Sequence, residues 1–387
     1  MTRNLLLICS LLYISATLHA QTPVRLSGTV TDSATGKPLP GVSIFLNSTS
    51  IGTVTHADGT FALNNIPRGR YQLVMSAIGY ETFVTEVSGN HPAPALNVVL
   101  HSKATELEAF TVEPYMKDGW QRYGKFFVDN FIGTLENAGS CKIKNKDVLR
   151  FHFYRKSNQL SVTATEPLII ENKALGYSVE FRLERFTSDF STNIISYFGY
   201  PFFREMITDD KDRRQKWEER RKLAYAGSIV HFMRSLYANR LHEDGFIVDR
   251  EINVPNLEKR RVKEIYNPAI QKNDSIPIDT LHHYWEVMRQ PDYYPGKERV
   301  GADSLITIYP DKTKALYWIR TLTVIFGDTR HGIPYRSSGM EMIRQAMIVI
   351  EENGNYYPPQ VILSSGYWAQ SEKISNLLPA DYQYTGF

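Results

Sequence analysis

The stretch from Gly28 to Thr82 decides the fold of the first part of the chain: GTVTDSATGKPLPGVSIFLNSTSIGTVTHADGTFALNNIPRGRYQLVMSAIGYET. Short runs of alternating apolar and polar residues are separated by turn residues, as in all-β domains. Asp58-Gly59 stands between two such runs, and this dipeptide is typical of a tight hairpin turn. Between Val24 and Leu100 the pattern predicts about seven strands, which is the number expected of a small β-sandwich.

The same stretch resembles the carboxypeptidase regulatory-like domain. The resemblance rests on Gly28, Asp32, the turn from Thr35 to Val42 (TGKPLPGV), Thr53, Asp58-Gly59, Phe61, Pro67, Gly69, Tyr71 and Gly79-Tyr80. It implies a transthyretin-like β-sandwich without catalytic activity. Such domains stand at the front of envelope proteins of Gram-negative bacteria, including TonB-dependent transporters. Some relatives are classed with starch-binding-like folds, which leaves glycan contact open.

The first twenty residues have the features of a secretory signal peptide. Arg3 supplies a positive charge, the run from Leu5 to Ala16 is mostly apolar, and Ala20 is a small residue suited to the position before cleavage. Cys9 raises a lipoprotein alternative, which is disfavoured because apolar residues continue after it. The pattern predicts an exported protein in the periplasm or associated with the outer membrane, with Gln21 as the first mature residue.

The composition limits the classes of partner. Hydrophobic residues make up 42% of the chain, which predicts a packed globular protein. The net charge of +3 falls to +2 once Arg3 leaves with the signal, so nucleic-acid binding is not expected. No later apolar run is long enough for a transmembrane helix. Cys141 would be the one remaining cysteine, which excludes an intramolecular disulfide.

The pattern of elements divides the chain into a signal peptide (residues 1–20), the β-sandwich (21–102), a linker (103–115) and a second domain (116–387). This second domain begins with a predicted helix from Met116 to Phe131. Alternating runs follow, of which 149–154 and 159–164 read as a hairpin around a short polar turn. Further strand patterns recur up to residue 186 and again between residues 305 and 367. The sequence therefore predicts an α+β domain with a mostly antiparallel sheet.

The stretch from Arg213 to His242 predicts one long helix. Its apolar stripe contains Tyr225, Ile229, Phe232 and Leu236, which would pack in a core. The opposite face carries small residues together with His231 and Arg234. These two residues are candidates to line a ligand pocket; the alternative is a histidine satisfied within the fold and a solvated arginine.

Several phrases of the second domain resemble a family of exported bacterial envelope proteins with the same two-part layout. They are PLIIENKALGY (167–177), FGYPFFRE (198–205), WEERRKLAYAGSIVHFMRSLYANRLHEDGF (217–246) and GYW (366–368). That family is uncharacterised. The resemblance implies architecture and export, and it supplies no catalytic residues.

No catalytic or metal-binding motif occurs in the sequence. His282-His283 lacks a third zinc ligand at a fixed spacing, and Ser228 and Ser365 do not stand in a G-x-S-x-G elbow. The carboxylate pairs Asp209-Asp210 and Glu218-Glu219 lie among arginines, as on a charged helix face. We therefore expect no catalytic residue, no metal and no cofactor.

The expected function is that of an exported, non-enzymatic cell-envelope protein. The β-sandwich would serve as an accessory or docking module, and the second domain would bind a ligand or partner, such as another envelope protein or a glycan. The alternative is an exported glycan-binding or glycan-processing protein.

Overall fold

The computed structural model describes residues 24–91, 94–103, 115–266 and 276–386. The predicted signal peptide and most of the predicted linker, residues 104–114, lie outside the described residues. The described chain is mostly β: its 22 strands form five sheets, and six α-helices accompany them.

The N-terminal strands form the predicted β-sandwich. The strands are β1 (Val24–Asp32), β2 (Ser43–Leu46), β3 (Gly52–Val54), β4 (Thr60–Ile66), β5 (Arg70–Ser76), β6 (Phe83–Ser88) and β7 (Leu96–Leu100). Their order is β4-β1-β7 in one sheet and β3-β2-β5-β6 in the other. β7 runs parallel to β1, and the other pairs are antiparallel. Alternate residues of both sheets are buried in one apolar core.

Asp32 fixes the turn that follows β1. Its Oδ1 accepts hydrogen bonds from the backbone N–H groups of Ala34 and Thr35, at 2.9 and 2.7 Å. The Tyr80 hydroxyl donates to the other carboxylate oxygen. The bond from Tyr80, followed by those from Thr35, lowers the pKa of Asp32 to about 2. Asp32 and Tyr80, both part of the family resemblance, thus have a structural role in this chain.

A six-stranded antiparallel sheet follows the sandwich. Its strands are β8 (Cys141–Ile143), β9 (Leu149–Tyr154), β10 (Gln159–Ala164), β11 (Leu168–Asn172), β12 (Tyr177–Asp189) and β13 (Ile194–Glu205). β13 pairs along the whole of β12, so β11 and β10 share the other edge of that strand. Helix α1 (Gly119–Phe131) covers this sheet: the Phe127 ring lies 5.0 Å from the Phe186 ring, and the Phe131 ring 5.0 Å from the Phe181 ring.

The remainder of the chain contains two further antiparallel sheets. Its strands are β14 (Phe246–Pro255), β15 (Tyr293–Arg299), β16 (Ile306–Ile308), β17 (Lys314–Leu316), β18 (Leu322–Asp328), β19 (Ile333–Met342), β20 (Ile348–Ile350), β21 (Tyr356–Tyr357) and β22 (Ile362–Gly366). The sheet orders are β15-β14-β18-β19-β22 and β16-β17-β20-β21. The region expected to hold one mostly antiparallel sheet therefore holds three separate ones.

The helices of this region are α2 (Lys211–Tyr225), α3 (Ile229–Tyr237), α4 (Leu257–Ile265), α5 (Ile278–Arg289) and α6 (Tyr367–Ser371). Helices α4 and α5 contact each other and join the ends of β14 and β15. In the described part of the chain, no helix has the length and apolar character needed to cross a membrane.

The prediction of one long helix from Arg213 to His242 is wrong, because the chain breaks between α2 and α3. Gly227 takes a left-handed φ of 77°, which a residue with a side chain adopts only with strain. Ser228 then starts α3 as its N-cap, and its Oγ accepts the His231 N–H at 3.1 Å. The predicted apolar stripe is nevertheless buried, with Tyr225 on the first helix and Phe232 on the second.

The sandwich packs directly against the middle sheet. The Phe45 ring of β2 stacks on the Phe202 ring of β13 with centroids 5.1 Å apart. Backbone hydrogen bonds extend this contact: the Ser48 N–H donates to the Pro201 carbonyl at 2.9 Å, and the Phe203 N–H donates to the Thr49 carbonyl at 3.0 Å. The sandwich is therefore joined to the next sheet by both side chains and backbone.

The segment after α6, residues 372–386, crosses all three regions, and we call it the C-terminal strap. The Ile374 N–H donates to the Phe131 carbonyl at 3.2 Å, and the Ile374 side chain is buried in the core under α1. Farther along, the Ala380 N–H donates to the Ser48 carbonyl at 2.6 Å, in the sandwich. The strap thus links the middle sheet and the sandwich to the C-terminal region.

Candidate ligand-binding cleft

A cleft of about 540 Å³ opens between helix α2 and the start of strand β19. Its other walls are the turn after α1, helix α6 and the strap. The volume lies within the usual range of small-molecule sites. The lining mixes charged, amide, aromatic and aliphatic side chains, and we consider it the candidate functional site.

Helix α2 packs one face against the middle sheet and the strap, and it presents another face to the cleft. Its N-cap is Asp210, whose side chain accepts the Arg213 N–H at 3.0 Å. The residues on the packed face are Trp217, Arg221 and Tyr225, all buried. The residues that line the cleft are Lys216, Glu219, Arg220, Leu223 and Ala224. This division follows the helical period of the sequence.

Arg221 fixes α2 to the middle sheet. Its Nε donates to the Leu175 carbonyl at 2.7 Å, and its guanidinium lies 4.1 Å from the centroid of the Tyr177 ring. It also forms an ion pair with Glu205 at 2.5 Å. Arg221 is 93% buried. Its contacts with the middle sheet hold the helix that carries the cleft residues in one position.

Arg220 organises one wall of the cleft. Its two terminal nitrogens donate to the Asn137 side-chain oxygen and to the Glu136 carboxylate, both at 2.7 Å. Asn137 in turn donates to the Asn376 side chain in the strap at 2.8 Å. The charge of Arg220 is therefore compensated by Glu136.

Arg336 on β19 stacks on Tyr367 of α6. The guanidinium carbon lies 4.3 Å from the centroid of the Tyr367 ring, and Nη1 donates to the Tyr367 hydroxyl. In the described parts of the chain, neither Arg336 nor Lys216 has a carboxylate within ion-pair distance. The cleft thus holds two cationic groups, on α2 and on β19, that form no ion pair with a carboxylate of the described residues.

Trp368 holds the aromatic end of the cleft in place. It is 1% exposed, and its indole N–H donates to the Gly227 carbonyl at 2.8 Å. Its backbone N–H donates to the Ser338 hydroxyl at 3.2 Å. The neighbouring Tyr367 is thereby positioned beside the break between α2 and α3.

A narrow crevice of about 20 Å³ adjoins the cleft, and Ala224, Ser228 and Asn376 line both. Glu372 lies in this crevice and accepts the Ile229 N–H at 3.1 Å. Burial raises the pKa of Glu372 to about 7, although part of the residue is still accessible. Beside it, the buried hydroxyl of Ser371 has no hydrogen-bond partner among the residues that the structure describes.

His231, a pocket candidate in the sequence, lies in the core. Its Nδ1 accepts the backbone N–H of Gly227 at 3.1 Å. Aromatic rings surround the imidazole: the Tyr225 ring lies 4.6 Å away and the Phe246 ring 4.9 Å away. Burial lowers the pKa of His231 to about 4, so the side chain is neutral at physiological pH. It does not line the cleft.

Arg234, the second pocket candidate, lines the narrow crevice and binds the strap. It donates three hydrogen bonds to backbone carbonyls: to Asn353 at 2.9 Å, to Ala380 at 2.7 Å and to Tyr382 at 3.1 Å. The structure therefore places the two candidates on one helix with different surroundings.

The histidine pair of α5 makes separate contacts. His282 lies 3.6 Å from the carboxylate of Glu286, and His283 lies 3.1 Å from that of Glu258. Within residues 24–91, 94–103, 115–266 and 276–386, no group of three His, Cys, Asp or Glu side chains could hold a metal ion. Of the acidic pairs, Asp210 caps α2, and Glu219 accepts from the Gln215 amide at 2.8 Å.

Sequence reasoning missed the residues that give the cleft its charge. Arg336 lies on a strand whose alternation the sequence shows weakly, and Lys216 resembles any exposed lysine of a charged helix. The phrase GYW (366–368) was the available signal, because it contains the ring that Arg336 stacks on and the tryptophan that anchors it.

Residues 26–112 match the family model of the CarboxypepD_reg-like domain. The match confirms the resemblance of this N-terminal segment to the carboxypeptidase regulatory-like domain that its sequence predicted. A search of the curated proteins finds no match to the chain.

Several solved structures are distantly similar. A cohesin–X-dockerin complex from Acetivibrio cellulolyticus is 15% identical, over 20% of this chain and 58% of its own, with a TM-score of 0.17. The pilus 2b backbone protein of group B streptococcus is 19% identical, over 22% of this chain and 43% of its own, with a TM-score of 0.18. A putative membrane-associated protein of unknown function from Bacteroides fragilis is 12% identical, over 87% and 99%, with a TM-score of 0.17.

Proposed function

We propose that this protein is an exported, non-enzymatic protein of the cell envelope that binds a ligand in the cleft beside α2. The observation that supports this most directly is the pair formed by Arg336 and Tyr367. The Arg336 guanidinium is partly buried and stacked on an aromatic ring, and it has no carboxylate partner in the described chain. It is therefore held in a fixed orientation in which it can bind a ligand.

Three polar side chains of the cleft favour binding over catalysis. The Glu136 carboxylate is paired with Arg220, and the Glu219 carboxylate accepts from the Gln215 amide. The Ser228 hydroxyl serves as a helix cap. A catalytic acid, base or nucleophile needs a neighbour that activates it, and the contacts of these three side chains provide none.

The β-sandwich is proposed as the docking module. Its sheet β3-β2-β5-β6 faces the middle sheet through Phe45 and Val74, which leaves the sheet β4-β1-β7 on the outer side. That outer sheet presents small polar side chains such as Thr29 and Asn97, which hydrogen-bond to each other at 2.8 Å. The partner would be another envelope protein or a glycan, and the location would be the periplasm or the outer membrane.

A ligand screen tests the cleft. Thermal unfolding of the full chain would be followed against a library of envelope metabolites and saccharides, since a ligand that binds the folded state raises the melting temperature. Leu223, which lines the cleft and is 51% exposed, would be replaced by Trp to fill it. Ile207→Trp is the matched control, because Ile207 is 97% exposed and lies outside the cleft. Ligands that raise the melting temperature of both variants equally would contradict the assignment of the cleft as the binding site.

Export has its own test. Protein recovered from the periplasmic fraction should begin near Gln21 on N-terminal sequencing. An intact Met1 on protein confined to the cytoplasm would refute export and leave the cleft assignment untouched.

A further inference from the structure

We infer that the ligand of the cleft is an acidic sugar, that is, a saccharide carrying a carboxylate or a phosphate group. This inference rests on the proposed binding function of the same cleft and specifies the ligand's chemistry. Three properties of the lining lead to it: one arginine with unused donors, the balance of charge, and the mixture of polar and aliphatic groups.

The arginine is Arg336. A guanidinium has five N–H donors in a planar fork, and the hydroxyl of Tyr367 is the acceptor that the described residues provide for Arg336. Stacking on the Tyr367 ring fixes the plane of the fork. A fork held in this way matches the two oxygens of a carboxylate or phosphate, and charge-assisted bonds of this kind are strong.

The balance of charge in the cleft favours one negative group. Lys216 and Arg336 have no ion-pair partner in the described chain, whereas Arg220 is paired with Glu136 at 2.7 Å. Glu219 is the one lining carboxylate without a cationic partner there. In the described lining, the two cations without an ion-pair partner outnumber the one carboxylate without such a partner, which favours an anionic ligand.

The rest of the lining suits a sugar. Asn376 accepts from Asn137 through its side-chain oxygen, which leaves its amide N–H₂ group for a hydroxyl of the sugar. Glu219 accepts from Gln215 through one carboxylate oxygen, which leaves the second oxygen for another hydroxyl. Leu135, Leu223 and Ile333 offer aliphatic surface for the C–H faces of a pyranose ring. A compact inorganic anion would use the cations and leave most of a cleft of about 540 Å³ unfilled.

Calorimetric titration of the full chain with matched sugars tests the inference. The pairs are glucuronate with glucose and a galacturonate trimer with a neutral galactose trimer, together with glucose 6-phosphate and inorganic phosphate alone. We expect at least one acidic sugar to bind about tenfold or more tighter than its neutral match and to weaken as salt is added. Comparison of carboxylate with phosphate sugars identifies which acid is preferred.

Substitutions locate the site. Arg336→Gln should weaken the acidic sugar by about tenfold or more, and Arg336→Lys should recover only part of the loss, because lysine keeps the charge and lacks the fork. Arg330→Gln is the control: Arg330 belongs to the same β-hairpin, pairs with Asp328 and lies outside the cleft. The Arg330→Gln variant should bind the acidic sugar with the same affinity as the unmodified chain.

Each contrary result has a definite meaning. Equal binding of the neutral sugars would refute the acidic group, and equal binding of bare phosphate would refute the sugar. If no saccharide binds, but Leu223→Trp abolishes the binding of another ligand from the library, the sugar inference fails and the proposed binding function of the cleft stands. If no ligand of any class is sensitive to Leu223→Trp, the proposed function itself fails.

Discussion

The backbone N–H of Gly227 donates a hydrogen bond to Nδ1 of His231 at 3.1 Å. Gly227 lies in the break between α2 and α3, and His231 lies in the first turn of α3. The imidazole thus stabilises the turn that interrupts the predicted helix. The bond requires Nδ1 to be unprotonated, which agrees with a pKa of about 4.

The first prediction concerns the pH dependence that His231 introduces. Below about pH 6.5 the unfolded chain protonates this histidine, while the folded chain resists protonation to about 4. The free energy of unfolding therefore falls as the pH drops through this window. His231→Asn keeps an acceptor for Gly227 and removes the titration. As the pH falls from 7 to 4.5, the free energy of unfolding of the variant, measured with urea, should increase by about 2 kcal/mol relative to that of the unmodified chain. A constant difference across this range would contradict a buried neutral histidine.

The second prediction concerns Glu372, whose effect has the opposite sign. Its pKa is about 7 in the folded chain and about 4.5 when unfolded, so the folded state binds the proton more tightly. The free energy of unfolding should fall as the pH rises from about 4.5 to about 7. Glu372→Gln keeps an acceptor for the Ile229 N–H. Over that rise in pH, the free energy of unfolding of this variant, measured by urea unfolding, should increase by about 2 kcal/mol relative to that of the unmodified chain.

Glu243→Gln is the control for this measurement, because Glu243 is exposed. Its pH profile should parallel that of the unmodified chain. Since the slopes of His231 and Glu372 oppose each other between about pH 4.5 and 6.5, the unmodified chain should show a flatter profile than either variant. A Glu372→Gln profile parallel to that of Glu243→Gln would refute the raised pKa.

The sequence predicted those elements of the fold that their own local residue pattern specifies. The strands 149–154 and 159–164 were placed at their observed bounds, because a hairpin is specified by its own alternation and turn. The break at Gly227 was missed although Ser228 is a good N-cap residue, because the apolar stripe continues across it. The cleft could not be predicted, since Arg220, Arg336 and Tyr367 meet only through tertiary packing.

The third prediction tests how the sandwich is joined to the middle sheet. A Cβ atom on Gly52 would lie 2.6 Å from the Phe202 ring, well inside contact distance. Gly52→Ala should therefore displace the Phe45–Phe202 stack and cost about 1 to 3 kcal/mol. Hydrogen exchange at the Ser48 and Phe203 amides, which bridge the two sheets, should accelerate.

Gly139→Ala is the control for this variant. A Cβ at Gly139 would meet no atom within 4 Å, and its φ lies outside the left-handed region. Its exchange rates at the bridging amides should be unchanged. Slow exchange at both amides in Gly52→Ala would show that the joint tolerates the extra atom.

The fourth prediction concerns the core beneath α3. The Phe232 side chain is fully buried, and its ring lies 5.4 Å from both the Phe246 and the Trp368 rings. Phe232→Ala should cost about 3 to 5 kcal/mol through lost burial and the cavity left behind. Chemical denaturation of the full chain gives this value. Tyr293→Ala, at a side chain that is 56% exposed, should cost far less. Equal costs would mean that the ring is not part of a packed core.

The fifth prediction is that Arg234 holds the C-terminal strap. Its guanidinium donates to the carbonyls of Asn353, Ala380 and Tyr382, so Arg234→Met would leave three acceptors unpaired. The strap should then detach locally. Amide exchange at Ala380 should accelerate by about tenfold or more, and carboxypeptidase should trim the chain from its end faster. Arg240→Met is the matched control just after the same helix, because the Arg240 side chain is 57% exposed and its pair with Asp244 at 3.5 Å contributes little. Unchanged exchange at Ala380 in Arg234→Met, with the Arg240→Met rate as reference, would show that the strap is held by its contacts with the sandwich and the middle sheet alone.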